Sequence, residues 1–383
     1  MITPLKKILA LCYSTFRLIR KYDMYSLSKR VHIIFDYYKL YRKRRLLISE
    51  YYEYEFEKAS KEFKESFLGM TEQGYYLKTL NPIKYYTLAR NKYLAHICLE
   101  KAGIPMPTLW GYYNPYLSNA KNDFSNLLNE LQDNKHTPFV IKATESSHGE
   151  GVYIVKEVIN SKEKVWLSLV SKKKILLVDF LDLGDELIVE SAIKQTKQFA
   201  GFNESSVNTI RFMTTLYPNG DAKIIAAFIK IGRNGAYIDN AGIGGNVDAN
   251  IDVRTGKINN VIIFSGYRDV KKSDIHPDTG KQIEGVIIDN WEDIKDKVIS
   301  YQKALPFVKA AGWDVAITDE GPIIIEVNDS WDRTGQLFIQ RGWRREIREC
   351  FQEWNNIGYK PTVERGTNNL SLSTLNKYYQ LFK

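Results

Sequence analysis

Several features that narrow a protein's function at once are scarce in this sequence. There are three cysteines in 383 residues (Cys12, Cys98 and Cys350), far apart in the chain. Neither a disulfide framework nor a CxxC metal site can be built from them, so a reducing compartment is the default expectation. The five histidines (32, 96, 136, 148 and 276) make no metal-ligand spacing. No Ser/His/Asp order or cysteine-nucleophile signature is present. No apolar run approaches the roughly 18 to 20 residues of a membrane-crossing helix. The opening stretch MITPLKKILALCYSTFRLIRKYD lacks a small-residue cleavage site, and Arg17, Arg20 and Lys21 interrupt it early. A signal peptide is not expected. Repeats and low-complexity tracts are missing as well.

What is there is the composition of a folded chain: 44% hydrophobic, 26% charged and 13% aromatic, with 25 Tyr. The length predicts about two to three domains. The net charge of +9 is localised. Residues 1–49 hold 12 Lys/Arg against two acids, Asp23 and Asp36, whereas the remaining 334 residues carry 42 basic and 43 acidic side chains. A near-neutral body argues against a nucleic-acid enzyme, whose basic surface should lie across it. The basic segment points to a local anionic contact, such as a membrane surface or a phosphate-bearing acceptor.

Residues 1–67 read as helices. Leu5, Ile8, Leu9, Cys12, Phe16 and Ile19 recur at spacings of 3 and 4, and so do Val31, Ile34, Phe35, Tyr38 and Tyr41. Two readings stand side by side: an amphipathic helix on a lipid interface, or a helical hairpin packed on the body with a solvated basic face. Residues 68–135 read as a small mixed domain with a helix from Tyr85 to Ala102, capped by Gly103. From Pro138, the runs FVIK and VYIV flank the turn-rich ATESSHGEG, a strand–loop–strand pattern. Strand patterns continue across 187–264. A helix is expected over 291–311, then a hairpin through WDVAITDEGPIIIEVN that turns at Asp319-Glu320-Gly321, then a helical tail.

That hairpin carries the first chemical signal. Period-2 alternation puts Glu326 and Asn328 on one face, and the hairpin folds Asp314 back beside them. Three converging oxygen ligands suit Mg²⁺, and a glutamate within IIIEVN needs a partner or an ion. The second signal is Lys142, which closes a buried strand ahead of a loop of small residues. Lys142 would supply a point charge to a triphosphate, and the amides of Ser146 to Gly151, including Ser147, His148 and Gly149, would wrap its oxygens. Arg211, flanked by apolar residues in VNTIRFMT, suits the γ-phosphate or a substrate carboxylate, or else a structural ion pair. In DNAGIGGNVDANID, Gly242, Gly244 and Gly245 allow close backbone approach, and Asn246 suits a substrate contact.

A lysine (Lys92) on a helix ending in Gly-Ile-Pro comes first, then the strand lysine with its Gly-rich loop, then LIVESAI, then Asp…Glu-x-Asn. In that order these motifs resemble the ATP-grasp superfamily, to which D-alanine–D-alanine ligases and glutathione synthetases belong. The likeness covers about residues 75–335. The basic N-terminus, VNTIRFMT and DNAGIGGNVDANID look most like the sugar-transfer-associated ATP-grasp proteins. The resemblance implies an α/β (α+β) ATP-grasp fold in which two α+β lobes clasp the nucleotide. It divides the chain into a basic extension (1–67), a mixed domain (68–135), lobe 1 (136–200), lobe 2 (201–345) and a helical tail (346–383).

Residue by residue, the resemblance implies that Lys92 and Lys142 contact ATP phosphates under a lid of residues 146–151. Glu190, Ser191, Ala192 and Ile193 form the adenine-binding hinge, and Asp314, Glu326 and Asn328 hold one or two Mg²⁺, with Mn²⁺ as a substitute. Two departures stand out. Asn91 replaces the acid that usually precedes the first lysine, and after the hinge Gln195 and Gln198 stand where a ribose-binding acid is expected. The implied reaction is ATP-dependent ligation of a carboxylate to an amine or hydroxyl through an acyl phosphate, in surface polysaccharide assembly. The alternative is a kinase acting on a sugar hydroxyl. The expected setting is cytoplasmic, peripheral at the inner membrane face, with residues 1–49 meeting the membrane or a lipid-linked diphosphate glycan.

Overall fold

The computed structural model describes residues 16, 20–146, 151–161, 164–233, 235 and 245–360. The expected helix over residues 5–19 (Phe16 apart), loop residues Ser147, His148 and Gly149, glycines 242 and 244, and the last 23 residues of the tail lie outside them.

Two antiparallel sheets organise the described chain. The first has six strands in the order β1-β6-β2-β3-β4-β5. They are β1 (Leu109–Tyr113), β2 (Phe139–Ala143), β3 (Val152–Ser161), β4 (Lys164–Leu169), β5 (Lys174–Leu176) and β6 (Leu187–Ser191). Alternation divides its faces. Phe139, Ile141, Leu187 and Val189 face helices Ala120–Asp133 and Leu177–Leu181 and share their core, which leaves Lys142 and Glu190 on the opposite face. The strand of residues 68–135, β1, is an edge of this sheet, paired with β6.

The second sheet has seven strands in the order β11-β10-β9-β8-β7-β12-β13. They are β7 (Thr209–Leu216), β8 (Ala222–Ile231), β9 (Val247–Ile251), β10 (Ile258–Gly266), β11 (Asp269–Lys272), β12 (Ala310–Thr318) and β13 (Gly321–Asn328). Both its faces are covered. Phe212, Trp313 and Val315 pack against helix Trp291–Ala304, and Met213, Ala226 and Phe228 against Phe338, Trp343 and Phe351. Burial on both sides explains why β12 is apolar almost throughout. The expected helix 291–311 stops at Ala304, ahead of Pro306, and residues 310–312 belong to β12.

The expected helix over 85–102 is broken at Asn91 into Thr87–Arg90 and Lys92–Lys101. Asn91 is extended, and its side chain accepts a hydrogen bond from the Leu94 amide, an N-cap. The break places Lys92 at the first helical position, with its amide donating to Thr144 O at 2.9 Å.

Residues 22–67 pack as an aromatic module. Helices α1 (Leu27–Arg44), α2 (Ile48–Glu53) and α3 (Lys61–Ser66) enclose Tyr22, Tyr37, Tyr51, Tyr54, Phe56, Phe63 and Phe67. The packed-hairpin reading therefore describes the inner side of α1, but the buried residues are Ile33, Tyr37, Leu40 and Arg44. Val31, Phe35 and Tyr38, which the packed-hairpin reading would turn inward, are exposed, whereas the basic Arg44 turns inward. Its guanidinium donates to the carbonyls of Glu65 (3.0 Å) and Phe67 (3.4 Å), closing the end of α3. The module is fastened to the second sheet through the Tyr54 and Tyr267 rings, in contact at a 54° tilt, and Arg268, which donates to Tyr52 O at 2.7 Å. Among the described residues no helix is long and apolar enough to cross a membrane.

Gly342 sits where body and module touch. A Cβ there would meet Ser66 O at 2.0 Å and Phe67 Cα at 2.4 Å, both backbone atoms. Gly342→Ala is expected to destabilise the protein by about 1–3 kcal/mol in urea unfolding. Gly74→Ala is the control, since nothing lies within 4 Å of the added methyl. It should be neutral or gain up to about 1 kcal/mol of helix propensity.

Candidate active site

On the first sheet, Lys142 and Glu190 are diagonal neighbours on β2 and β6, with Lys142 Nζ 2.5 Å from Glu190 Oε2. His96 of helix Lys92–Lys101 covers them, its Nδ1 3.1 Å from Glu190 Oε1. All three are buried. Burial alone would push the Glu190 carboxyl up, but Lys142 and His96 outweigh it and hold the group below its ordinary value. Lys92 reaches the base of the expected phosphate loop, where its Nζ donates to Ser146 O at 2.5 Å and Ser146 Oγ at 3.1 Å. Burial lowers the Lys92 ammonium, with Glu326 opposing that shift and Lys142 adding to it. Lys92 thus feels charges from both sheets. Gly151 at the loop's far end has φ +69°, and a Cβ would come within 2.9 Å of that of Ala143. A glycine is required there.

On the second sheet, one charged row crosses three strands. Asp314 on β12 is registered against Arg211 on β7 and Glu326 on β13. Arg211 forks onto Asp314, Nε to Oδ1 and Nη2 to Oδ2, each 2.7 Å. Lys230 of β8 adds a contact to Oδ1 at 3.0 Å. Burial works against the Asp314 charge, yet Arg211 and Lys230 hold its carboxyl well below the usual carboxylate range. Of the two readings of Arg211, the ion pair is present, and the same side chain lines a cavity of about 970 Å³.

Ser146, Lys230, Asp314, Glu326 and Asn328 line that cavity too. The far wall is made by Arg90, Trp331, Arg333 and Phe338, together with Met70 and Gln73 from the helix that follows the N-terminal module. Arg90 is held by Asp329 at 2.9 and 3.0 Å, and Arg333 pairs with Glu50 of α2 at 3.0 Å. Sequence reasoning missed Lys230, His96, Arg90 and Arg333. A lysine inside the apolar AAFIKIG strand and a histidine one turn after Lys92 were the available signals.

For a divalent cation the donor set is Asp314, Glu326 and Asn328, all hard oxygen donors on adjacent strands. Asn328 Nδ2 is buried without a hydrogen-bond partner among the described residues, a deficit that an acceptor such as a phosphate oxygen would relieve, leaving Oδ1 to a cation. The residues fit a hard cation, with Asp314 already shared by two protein cations.

Other expected residues lie elsewhere. Asn246, buried at the start of β9, is not among the residues lining the cavity. Ser191 gives its amide to Thr108 O at 2.9 Å, which leaves Ala192 and Ile193 as the uncommitted part of the expected hinge. Gln195 and Gln198 are not available to a ribose. Gln195 bridges the backbones of Asn203, Ser206 and Asn208, and Gln198 those of Ile287 and Asp289.

Lys142 lies on the first sheet with Lys92 at the start of the helix beside it, and Asp314, Glu326 and Asn328 lie on the second sheet in the wall of the cavity. The family model described as sugar-transfer-associated ATP-grasp matches residues 71–351, and the chain belongs to that family. No curated protein matches the chain significantly. Similar solved structures include D-alanine–D-alanine ligase from Bacillus anthracis, 14% identical with a TM-score of 0.41, covering 75% of this chain and 77% of that one. Biotin carboxylase from Campylobacter jejuni is 11% identical with a TM-score of 0.43, covering 72% of this chain and 48% of that one. The biotin carboxylase domain of the 2-oxoglutarate carboxylase from Hydrogenobacter thermophilus, in complex with MgADP, is 13% identical with a TM-score of 0.40 over 71% of this chain. This chain spans 48% of that one, so it covers about half the length of either carboxylase.

The two compensated carboxylates set an acid dependence. A carboxyl whose folded value is depressed contributes stability above its unfolded value, and that contribution is lost as pH falls through the folded value. Stability should therefore decline as pH drops below about 4, the ordinary carboxylate range. Asp314→Asn should lower the melting temperature at neutral pH and flatten its fall on acidification. Parallel melting curves for the two proteins from pH 7 to about 3 would contradict this.

Proposed function

We propose that this protein is an ATP- and Mg²⁺-dependent ligase that joins a carboxylate to an amine or hydroxyl during assembly of a surface polysaccharide or its precursor. The observation carrying this reading is the shared cavity, where Ser146 and the Asp314, Glu326 and Asn328 edge meet a second wall bearing Trp331, Arg333 and Arg90. One end suits a nucleotide's phosphates and the other an acceptor.

Phosphoryl transfer asks little covalent work of a protein beyond placing charge around the β- and γ-phosphates. Lys142 supplies that charge from the first sheet and Lys92 from the helix beside it, and Arg211 and Lys230 supply it from the second sheet. Asp314, Glu326 and Asn328 would hold Mg²⁺, which neutralises phosphate charge when bound. A substrate carboxylate oxygen then attacks the γ-phosphorus and ADP leaves. The resulting acyl phosphate is attacked at carbon by an amine or hydroxyl, which loses its proton as phosphate departs. Burial of the cation pairs keeps water from competing for them. Dependence on ATP and the free thiols of Cys98 and Cys350 suit a cytoplasmic reaction.

Hydroxylamine trapping tests the reading. The protein is incubated with Mg-ATP, hydroxylamine and a pool of amino acids and uronic-acid sugars, and products are read by mass spectrometry and phosphorus NMR. ADP with a hydroxamate is the expected result, and the trapped mass names the carboxylate. ADP with a stable phosphosugar and no hydroxamate would replace the ligase with a kinase. Glu326→Gln should lower ADP formation by roughly 100-fold or more with an unchanged melting temperature. Full turnover in that variant would remove Glu326 from the metal site.

A further inference from the structure

Helix α1 is apolar on two sides. Ile33, Tyr37, Leu40 and Arg44 face inward. Leu27, Val31, Phe35 and Tyr38 face outward, 73%, 43%, 70% and 42% exposed. At about 100° per residue these four fall within roughly 80° of arc, turned away from the buried residues. Met24, just before the helix, is exposed as well. A contiguous apolar stripe on a folded surface marks a contact site.

The charges around the stripe identify what it contacts. Helix α1 carries six Lys/Arg and one acid, Asp36. That acid is already taken, by Lys64 at 2.7 Å and Tyr51 at 2.9 Å. Lys39 and Arg42 border the stripe and are exposed. Upstream, Lys6, Lys7, Arg17, Arg20 and Lys21 precede the first acid of the chain, Asp23. Exposed leucine and phenylalanine beside uncompensated cations match the boundary of an anionic bilayer, where apolar side chains enter the acyl region and Lys/Arg meet headgroup phosphates.

We propose that the outer face of α1 docks on an anionic phospholipid surface, with Leu27, Val31 and Phe35 inserted and Lys39 and Arg42 on the headgroups. This is independent of the ligase reading. It gives a chain whose described residues include no membrane-crossing helix a way to work on a lipid-borne acceptor. The α1 module also reaches the cavity, because Glu50 of α2 holds Arg333 in the cavity wall.

The test is co-sedimentation of the full chain with vesicles of phosphatidylcholine alone or mixed with phosphatidylglycerol. Binding should require phosphatidylglycerol and weaken as salt is raised. Leu27→Ser/Phe35→Ser and, separately, Lys39→Gln/Arg42→Gln should each lower partitioning by roughly tenfold, with melting temperature and ADP binding unchanged because these side chains are exposed. Three results would overturn the proposal. One is failure of the wild type to bind phosphatidylglycerol vesicles. Another is unchanged partitioning in both variants. The third is a dimer in light scattering that Leu27→Ser/Phe35→Ser converts to monomer, which would assign the stripe to a second copy of the chain.

Discussion

A carboxylate removed from water must be compensated in place, and this protein meets that demand twice. Asp314 is buried between β7 and β13 and carries Arg211 and Lys230. Glu190 is buried between β1 and β2 and carries Lys142 and His96. Each cluster joins side chains from separate elements, so each fixes the relative position of strands as well as a charge. Losing one partner would leave the others charged and unsolvated, a far larger penalty than losing an exposed pair. The same arrangement keeps the cations charged in a dry site. On the proposed reading, an incoming phosphate would meet lysine and arginine side chains already ordered, and would take over part of their pairing without having to organise it.

The cavity beside the Asp314 cluster depends on a further element. Its far wall is tied to the N-terminal module by Glu50 and Arg333, by Gln336 bonded both ways to the Leu68 backbone, and by Gly342 against Ser66. The module thus forms part of the wall's support. Whatever holds the outer side of α1 is mechanically continuous with the Arg333 wall of the cavity.

Much of this was legible in the sequence. The hairpin bearing Asp314, Glu326 and Asn328 followed from period-2 alternation and the Asp-Glu-Gly turn, and the lysine-bearing strand from FVIK. These are local patterns, and local patterns survive in one dimension. What was not legible depended on pairing across the chain. Lys230 and Asp314 are 84 residues apart in sequence, and only strand order brings them within 3.0 Å. The face of α1 stayed open between two readings because apolar residues lie on both sides of it, and a periodicity argument cannot choose between two apolar stripes. The break at Asn91 was hidden because the flanking residues all favour helix, while the deciding contact is with Thr144 on the first sheet. Gln195 and Gln198 stood out only as a departure from the expected ribose-binding acid, and that their amides satisfy loop backbone groups is something nothing nearby in sequence reveals.

The central claim is that Lys142 on one sheet, Lys92 on the helix beside it and an Asp–Glu–Asn edge on the other sheet hold a metal-bound nucleotide together. Calorimetric titration of ADP, with and without Mg²⁺, into the wild type and Glu326→Gln tests it most directly. The account predicts that Mg²⁺ tightens ADP binding to the wild type, and that the variant loses this gain while keeping its metal-free affinity. Equal affinity with and without Mg²⁺ in the wild type, or a gain that survives the substitution, would contradict it.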